Sequence, residues 1–271
     1  MKKGILFFDV DGTLIDSKKG QTVPDKEVTD AIQKVRCNGY YCMISSGRNM
    51  AGLEVFRNTC FDGFVFSDGA GIMKEGEAAQ IIPFEHAALE CVLEELVNEY
   101  GCDVNACWEN GSFVSQGTYK RIHSLYDENI DETEIQKVLA EQNIALLDTW
   151  ENELILEVDI FFPDEQTKKN WIKQKPLFVE FVDMEGNYGE ITMKGVSKAS
   201  GCERMAQKLG IDINDCYAFG DSMNDKEMLA VCGKSVLMGN GDPRLKDSVD
   251  YVSGNVDEGG LIQAFQYFEL I

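Results

Sequence analysis

Gly4-Ile5-Leu6-Phe7-Phe8-Asp9-Val10-Asp11-Gly12-Thr13 joins a short apolar run directly to two carboxylates and a glycine. Such a run, bounded by turn residues, suits a strand buried on both faces of a parallel sheet. Open α/β sheets bind ligands beyond the carboxyl ends of their strands, which is where Asp9 and Asp11 fall. Gly12 eases the bend that a loop after the strand requires. Two spaced Asp residues alone also suit a capped turn, but their place straight after an apolar strand favours a site.

Working outward, Val28, Ala31, Ile32 and Val35 recur at helical spacing, with Thr22 as the expected cap, Pro24 in the first turn and Gly39 as the stop. A second strand over 40–45 follows at once and completes a βαβ unit; a third is expected over 64–66. The alternation returns near the C-terminus. A helix over 198–209 stops at Gly210, a strand over 216–220 precedes a helix from Asn224, and a strand over 235–238 ends at Gly239. This alternation predicts an α/β fold, a doubly wound Rossmann-like parallel sheet formed by residues 1–82 and 189–271.

Residues 83–188 read differently. Helix patterns over 86–99 and 131–142 stand between strand-like runs over 154–162 and 177–183. That span carries 23 acidic against 7 basic side chains, a net of −16 out of −22 for the chain. The shift marks an inserted α+β unit, the expected cap domain.

Composition narrows the function. A net charge of −22 opposes nucleic acid, whose phosphates it would repel. No stretch reaches the roughly 18 apolar residues of a membrane span, and the N-terminal apolar run is too short for a secretory signal. Nine cysteines form no CxxC pair, which argues against zinc and for reduced thiols in the cytoplasm. With only His86 and His123, a Ser-His-Asp triad is disfavoured.

Three further motifs fall at element ends. Ser45-Ser46-Gly47-Arg48 closes the second strand, where a hydroxyl and backbone N–H groups suit a phosphate. Lys198 opens a helix, with Lys194 as a rival. Gly220-Asp221-Ser222-Met223-Asn224-Asp225 follows a strand, and carboxylates grouped there call for a hard cation such as Mg²⁺.

These four motifs, in this order, resemble the haloacid-dehalogenase superfamily of phosphotransferases. The long insert between Ser46 and Lys198 resembles the Cof-type phosphatases, and Met238-Gly239-Asn240-Gly241, Lys246, Asp250 and Asn255 fit the same pattern. The resemblance implies Asp9 as nucleophile and Asp11 as acid and base, with Mg²⁺ held by Asp9, Asp221 and the backbone carbonyl of Asp11. It implies phosphoryl binding by Ser46, Gly47, Lys198 and Asn224, with Asp225 in support, and a cap that closes as a lid. Ser46 replaces a common Thr and keeps the hydroxyl. Asp68 stands where such proteins commonly carry Asn; the extra carboxylate reads either as a change in substrate or pH preference or as a turn residue, with the turn favoured.

The expected partner is a small phosphorylated metabolite, a sugar monophosphate with a neutral, hydroxyl-rich body, since the acidic cap disfavours bisphosphates. No nucleic acid, membrane or obligate protein partner is expected. Lys120, Arg121 and His123 form the cap's densest basic cluster and suit a substrate contact or a solvated helix face; Trp108 and Trp150 read as cap core. The alternatives are a phosphomutase of the phosphomannomutase type, disfavoured by a single cap arginine, and a non-catalytic sugar-phosphate-binding protein.

Overall fold

In a computed structural model describing residues 2–124, 132–184 and 186–271, all five residues of β1 (Gly4–Phe8) are buried. Chain order continues with β2 (Tyr40–Ser45), β3 (Gly63–Phe66), β4 (Gly71–Lys74) and β5 (Gln80–Ile81). The insert supplies β6 (Asp103–Trp108), β7 (Gly111–Val114), β8 (Ile144–Leu146), β9 (Glu157–Phe161), β10 (Val179–Asp183) and β11 (Tyr188–Met193). β12 (Tyr217–Gly220), β13 (Lys234–Leu237) and β14 (Tyr251–Val252) close the chain.

The first unit holds the sheet β14-β13-β12-β1-β2-β3-β4-β5, parallel from β14 to β3 and antiparallel beyond. β1 is central, which explains its unbroken apolar run: both faces and both edges are covered. Helix Lys26–Cys37 buries Ala31, Ile32 and Val35, as the spacing requires. Its N-cap residue is Asp25 rather than Thr22. Pro24 holds the preceding residue in extended backbone, so the helix begins after it instead of around it. Helix Lys198–Leu209 ends at Gly210, whose φ of 66° is the left-handed turn expected of a C-terminal glycine.

The second unit comprises Ile82–Gly195 with Asn49–Ala51, so it extends past the 83–188 read from sequence. Pairing gives the reason. β11 is held antiparallel between β10 and β9, and cutting at residue 188 would divide that sheet. The sheet order is β10-β11-β9-β6-β7-β8. One face packs Val104, Ala106, Val158, Ile160 and Ile191 with Leu89, Leu93, Leu96 and Trp171 in a single core. Trp108 and Trp150 pack against that core. Helix His86–Glu94 runs on into a wider turn over Glu95–Glu99, and strand 154–162 shortens to β9. The helix expected over 131–142 is Glu132–Glu141, with residue 131 outside the described residues. Among the described residues, no helix is long and apolar enough to cross a membrane.

Candidate active site

Strand register assembles the site of the first unit. Phe8 pairs with Phe219 on one side and Ile44 on the other, and Ser45 pairs with Val65. The carboxyl ends of β1, β2, β3 and β12 therefore finish at one level, and the residues following them converge. Beyond β1, the N–H groups of Thr13, Leu14 and Ile15 all donate to the Val10 carbonyl, closing a tight turn. Gly12 has a φ of 90°, and a Cβ there would lie 2.3 Å from Asp221 Oδ2. Only glycine meets both conditions.

Lys198 lies at the centre, 2% exposed, and its Nζ donates to Asp9 Oδ1 and Asp225 Oδ1, each at 2.7 Å. Burial alone would lower this ammonium; Asp225 and Asp9, with a contribution from Asp68, reverse that and hold it well above its usual range. Lys194 pairs with Glu180 inside the second unit, which leaves Lys198 as the lysine of this cluster. Asp225 is fully buried and organises the loop. Its Oδ2 accepts from the N–H groups of Asp221 and Ser222 at 2.9 and 3.0 Å, while Oδ1 meets Lys198. Ser222 Oγ donates to Asn224 Oδ1 at 2.5 Å. Asn240 ties the turn below by donating to the Gly12 carbonyl at 2.8 Å.

Asp9, Asp221 and Asp225 bring carboxylate oxygens within 4.8 Å of one another. Burial and the charges of Asp225 and Asp221 hold the Asp9 carboxyl well above its usual range despite Lys198. Burial, then Asp225, pushes Asp221 up to about 7. Asp221 Oδ1 is enclosed and meets no hydrogen-bond partner among the described residues. Crowded hard oxygen donors that resist ionisation, one of them unmet, fit a divalent cation such as Mg²⁺.

Asp11 is placed apart from this cluster. Both its oxygens accept from Arg48, through Nε at 2.9 Å and Nη2 at 2.7 Å. Arg48 closes the Ser45–Arg48 motif, and the sequence alone assigns it no role. The available signal was a cation two residues past Ser46, at a strand end level with an unpaired carboxylate motif. Ser46 is 3% exposed, and its Oγ accepts from the Arg48 N–H at 3.2 Å. In the second unit, Arg121 donates to Asp103 and lies over the Phe161 ring, so it is committed within its own sheet.

Comparison with known proteins identifies the family of the chain. A family model described as haloacid dehalogenase-like hydrolase matches residues 6–265. A Bacillus subtilis protein provisionally named a phosphatase is 26% identical over the full length of both chains. The HMP-PP phosphatase of Yersinia enterocolitica is 38% identical over 81 residues, covering 29% of this chain and 30% of that protein. A solved Geobacillus kaustophilus protein superposes with a TM-score of 0.80 at 28% identity, over 99% of this chain and all of that one. The structure reported as the subclass IIB sugar phosphatase BT4131 gives 0.78 at 22% identity, over 99% and 100% of the two chains. With the family model spanning nearly the whole sequence, the chain belongs to the haloacid dehalogenase-like hydrolases.

Proposed function

We propose that this hydrolase is a Mg²⁺-dependent phosphatase of small phosphomonoesters, sugar monophosphates foremost, acting through an aspartyl-phosphate on Asp9. The observation that carries the reading is Lys198 bridging Asp9 and Asp225 at 2.7 Å each, beside an enclosed acidic cluster. The bridge holds Asp9 in place with one oxygen engaged, leaving the other to attack phosphorus. As that bond forms, the ester oxygen leaves and takes a proton from Asp11. Water then gives a proton to Asp11 and attacks the same phosphorus, releasing phosphate and regenerating Asp9. Asp11 must leave its two bonds to Arg48 to take part in either transfer.

Asp9 and Asp221, with the Asp11 carbonyl, would hold the cation, and Asp225 keeps their loop in shape. When bound, the cation offsets the charge between an anionic nucleophile and an anionic phosphate. Ser46, Lys198, Asn224 and the Gly47 N–H bind phosphoryl oxygens. The sugar reading is supported by the acid-rich insert, by the likeness to a sugar phosphatase fold, and by a family that includes phosphatases of small metabolites.

Phosphate release from a panel of phosphomonoesters, with Mg²⁺ and with a chelator, tests it. Metal-dependent turnover of hexose monophosphates, exceeding that of the matching bisphosphates at low and high salt, is the expected result. No release from any ester, with the protein folded and Mg²⁺ present, would refute it.

A further inference from the structure

β3 ends at Phe66 and pairs antiparallel with β4 starting at Gly71, so Ser67–Ala70 must reverse the chain in four residues. The turn is strained. Ser67 and Asp68 have φ of 47° and 45°, two consecutive non-glycine residues in left-handed backbone, where a Cβ is disfavoured. It is also unsatisfied. Ser67 is fully buried and Asp68 is 2% exposed. Ser67 Oγ and both Asp68 carboxylate oxygens meet no hydrogen-bond partner among the described residues. Leaving an enclosed polar atom without a partner is costly, and more so when it is charged.

The turn is tied to the phosphate-binding residues. The Ser67 N–H donates to the Arg48 carbonyl at 3.1 Å and the Asp68 N–H to the Ser46 carbonyl at 3.2 Å. Lys198 feels the Asp68 charge, but its Nζ is committed to Asp9 and Asp225. A negative group beside the phosphoryl position is thus left to be met by something else. Three enclosed acceptors, one pair carrying charge, match the three N–H donors of a primary ammonium, whereas a hydroxyl brings one donor.

We propose that Ser67 and Asp68 form a recognition point for the leaving group, and that the preferred substrates are phosphomonoesters whose alcohol carries a protonated primary amine, such as amino sugar phosphates. This rests on the phosphatase reading and adds an ammonium to the neutral body that the charge count alone suggests. Asp68 acts on substrate choice; it takes no part in bond making.

The test compares kcat/KM for glucosamine 6-phosphate, its N-acetyl derivative and glucose 6-phosphate, and for 2-aminoethyl against 2-hydroxyethyl phosphate. Wild-type protein is expected to favour each free amine by about tenfold or more, the scale of a charge-assisted bond, and to lose that preference on N-acetylation. Asp68→Asn keeps the shape and tolerates left-handed backbone. It is expected to bring the amine-to-hydroxyl ratio close to one by slowing the amine substrates. A wild type that hydrolyses p-nitrophenyl phosphate yet treats amine and hydroxyl alike overturns the proposal alone. So does an Asp68→Asn variant that slows both members of a pair equally, because the residue then only shapes the turn. Should that variant fail to fold, the N-acetyl comparison on wild-type protein decides. No turnover of p-nitrophenyl phosphate would instead sink the phosphatase reading.

Discussion

Asp9 and Asp11 are two residues apart, and their surroundings differ in a way that fits the two roles proposed for them. Asp9 is buried and bound to Lys198, whereas Asp11 is partly exposed and held by Arg48 through both oxygens. A carboxylate on a guanidinium at the edge of the site can be released to carry a proton; one fixed on a buried ammonium can be aimed at phosphorus. Asp11→Asn should therefore slow sugar phosphates by orders of magnitude more than p-nitrophenyl phosphate, whose phenolate leaves without protonation. Equal losses in kcat on the two esters would assign Asp11 a structural part. At this scale, Asp9, Ser46, Lys198 and Asp225 were legible because each closes or opens an element in the sequence. The Arg48–Asp11 pair was not, since nothing local in either stretch says which carboxylate the guanidinium meets.

Turns between elements carry the next level. Gly12 adopts a φ of 90° with Asp221 Oδ2 2.3 Å from where a Cβ would stand, so one glycine serves both the bend after β1 and the approach of the β12 loop. Gly12→Ala should cost more than 1 kcal/mol from backbone strain alone. It should also displace Asp221. A lower Tm and a markedly weaker Mg²⁺ requirement constant in the activity assay are expected; unchanged metal dependence would detach Asp221 from the metal site. Apolar spacing disclosed β1, β2 and the helix ends, because burial on both faces and a left-handed glycine leave strong marks. Thr22 failed as a cap because the constraint Pro24 places on its predecessor outweighs the cap preference. The β3–β4 turn was hidden for another reason: its strain depends on two ordinary residues, Ser67 and Asp68, adopting backbone that sequence pattern assigns to glycine.

For the whole molecule, charge and stability are linked through the site. The raised Asp221 carboxyl keeps its proton up to about 7 in the folded protein, while in the unfolded chain it ionises near 3.8. Between those values the folded state holds more protons, so stability of the metal-free protein falls as pH rises from about 4 to about 7. At the proposed site Mg²⁺ would bind the ionised cluster, so its stabilisation should grow over the same range. Thermal melts should show Tm of the metal-free protein dropping between pH 5 and 7.5, and a larger Mg²⁺-induced rise at pH 7.5 than at pH 5. A pH-independent rise would separate Asp221 from metal binding. The two-unit organisation was visible as a charge step in the sequence, but its C-terminal edge was not, because β11 is set by pairing rather than by composition. All of these relations bear on the proposed role of Asp9 as the nucleophile toward phosphorus. The most direct measurement is kcat of folded Asp9→Asn, checked by its melting curve, beside wild type on the best phosphomonoester with saturating Mg²⁺. Turnover below about a thousandth of wild type is expected for loss of a nucleophile, and retention of more than a few per cent would contradict the account.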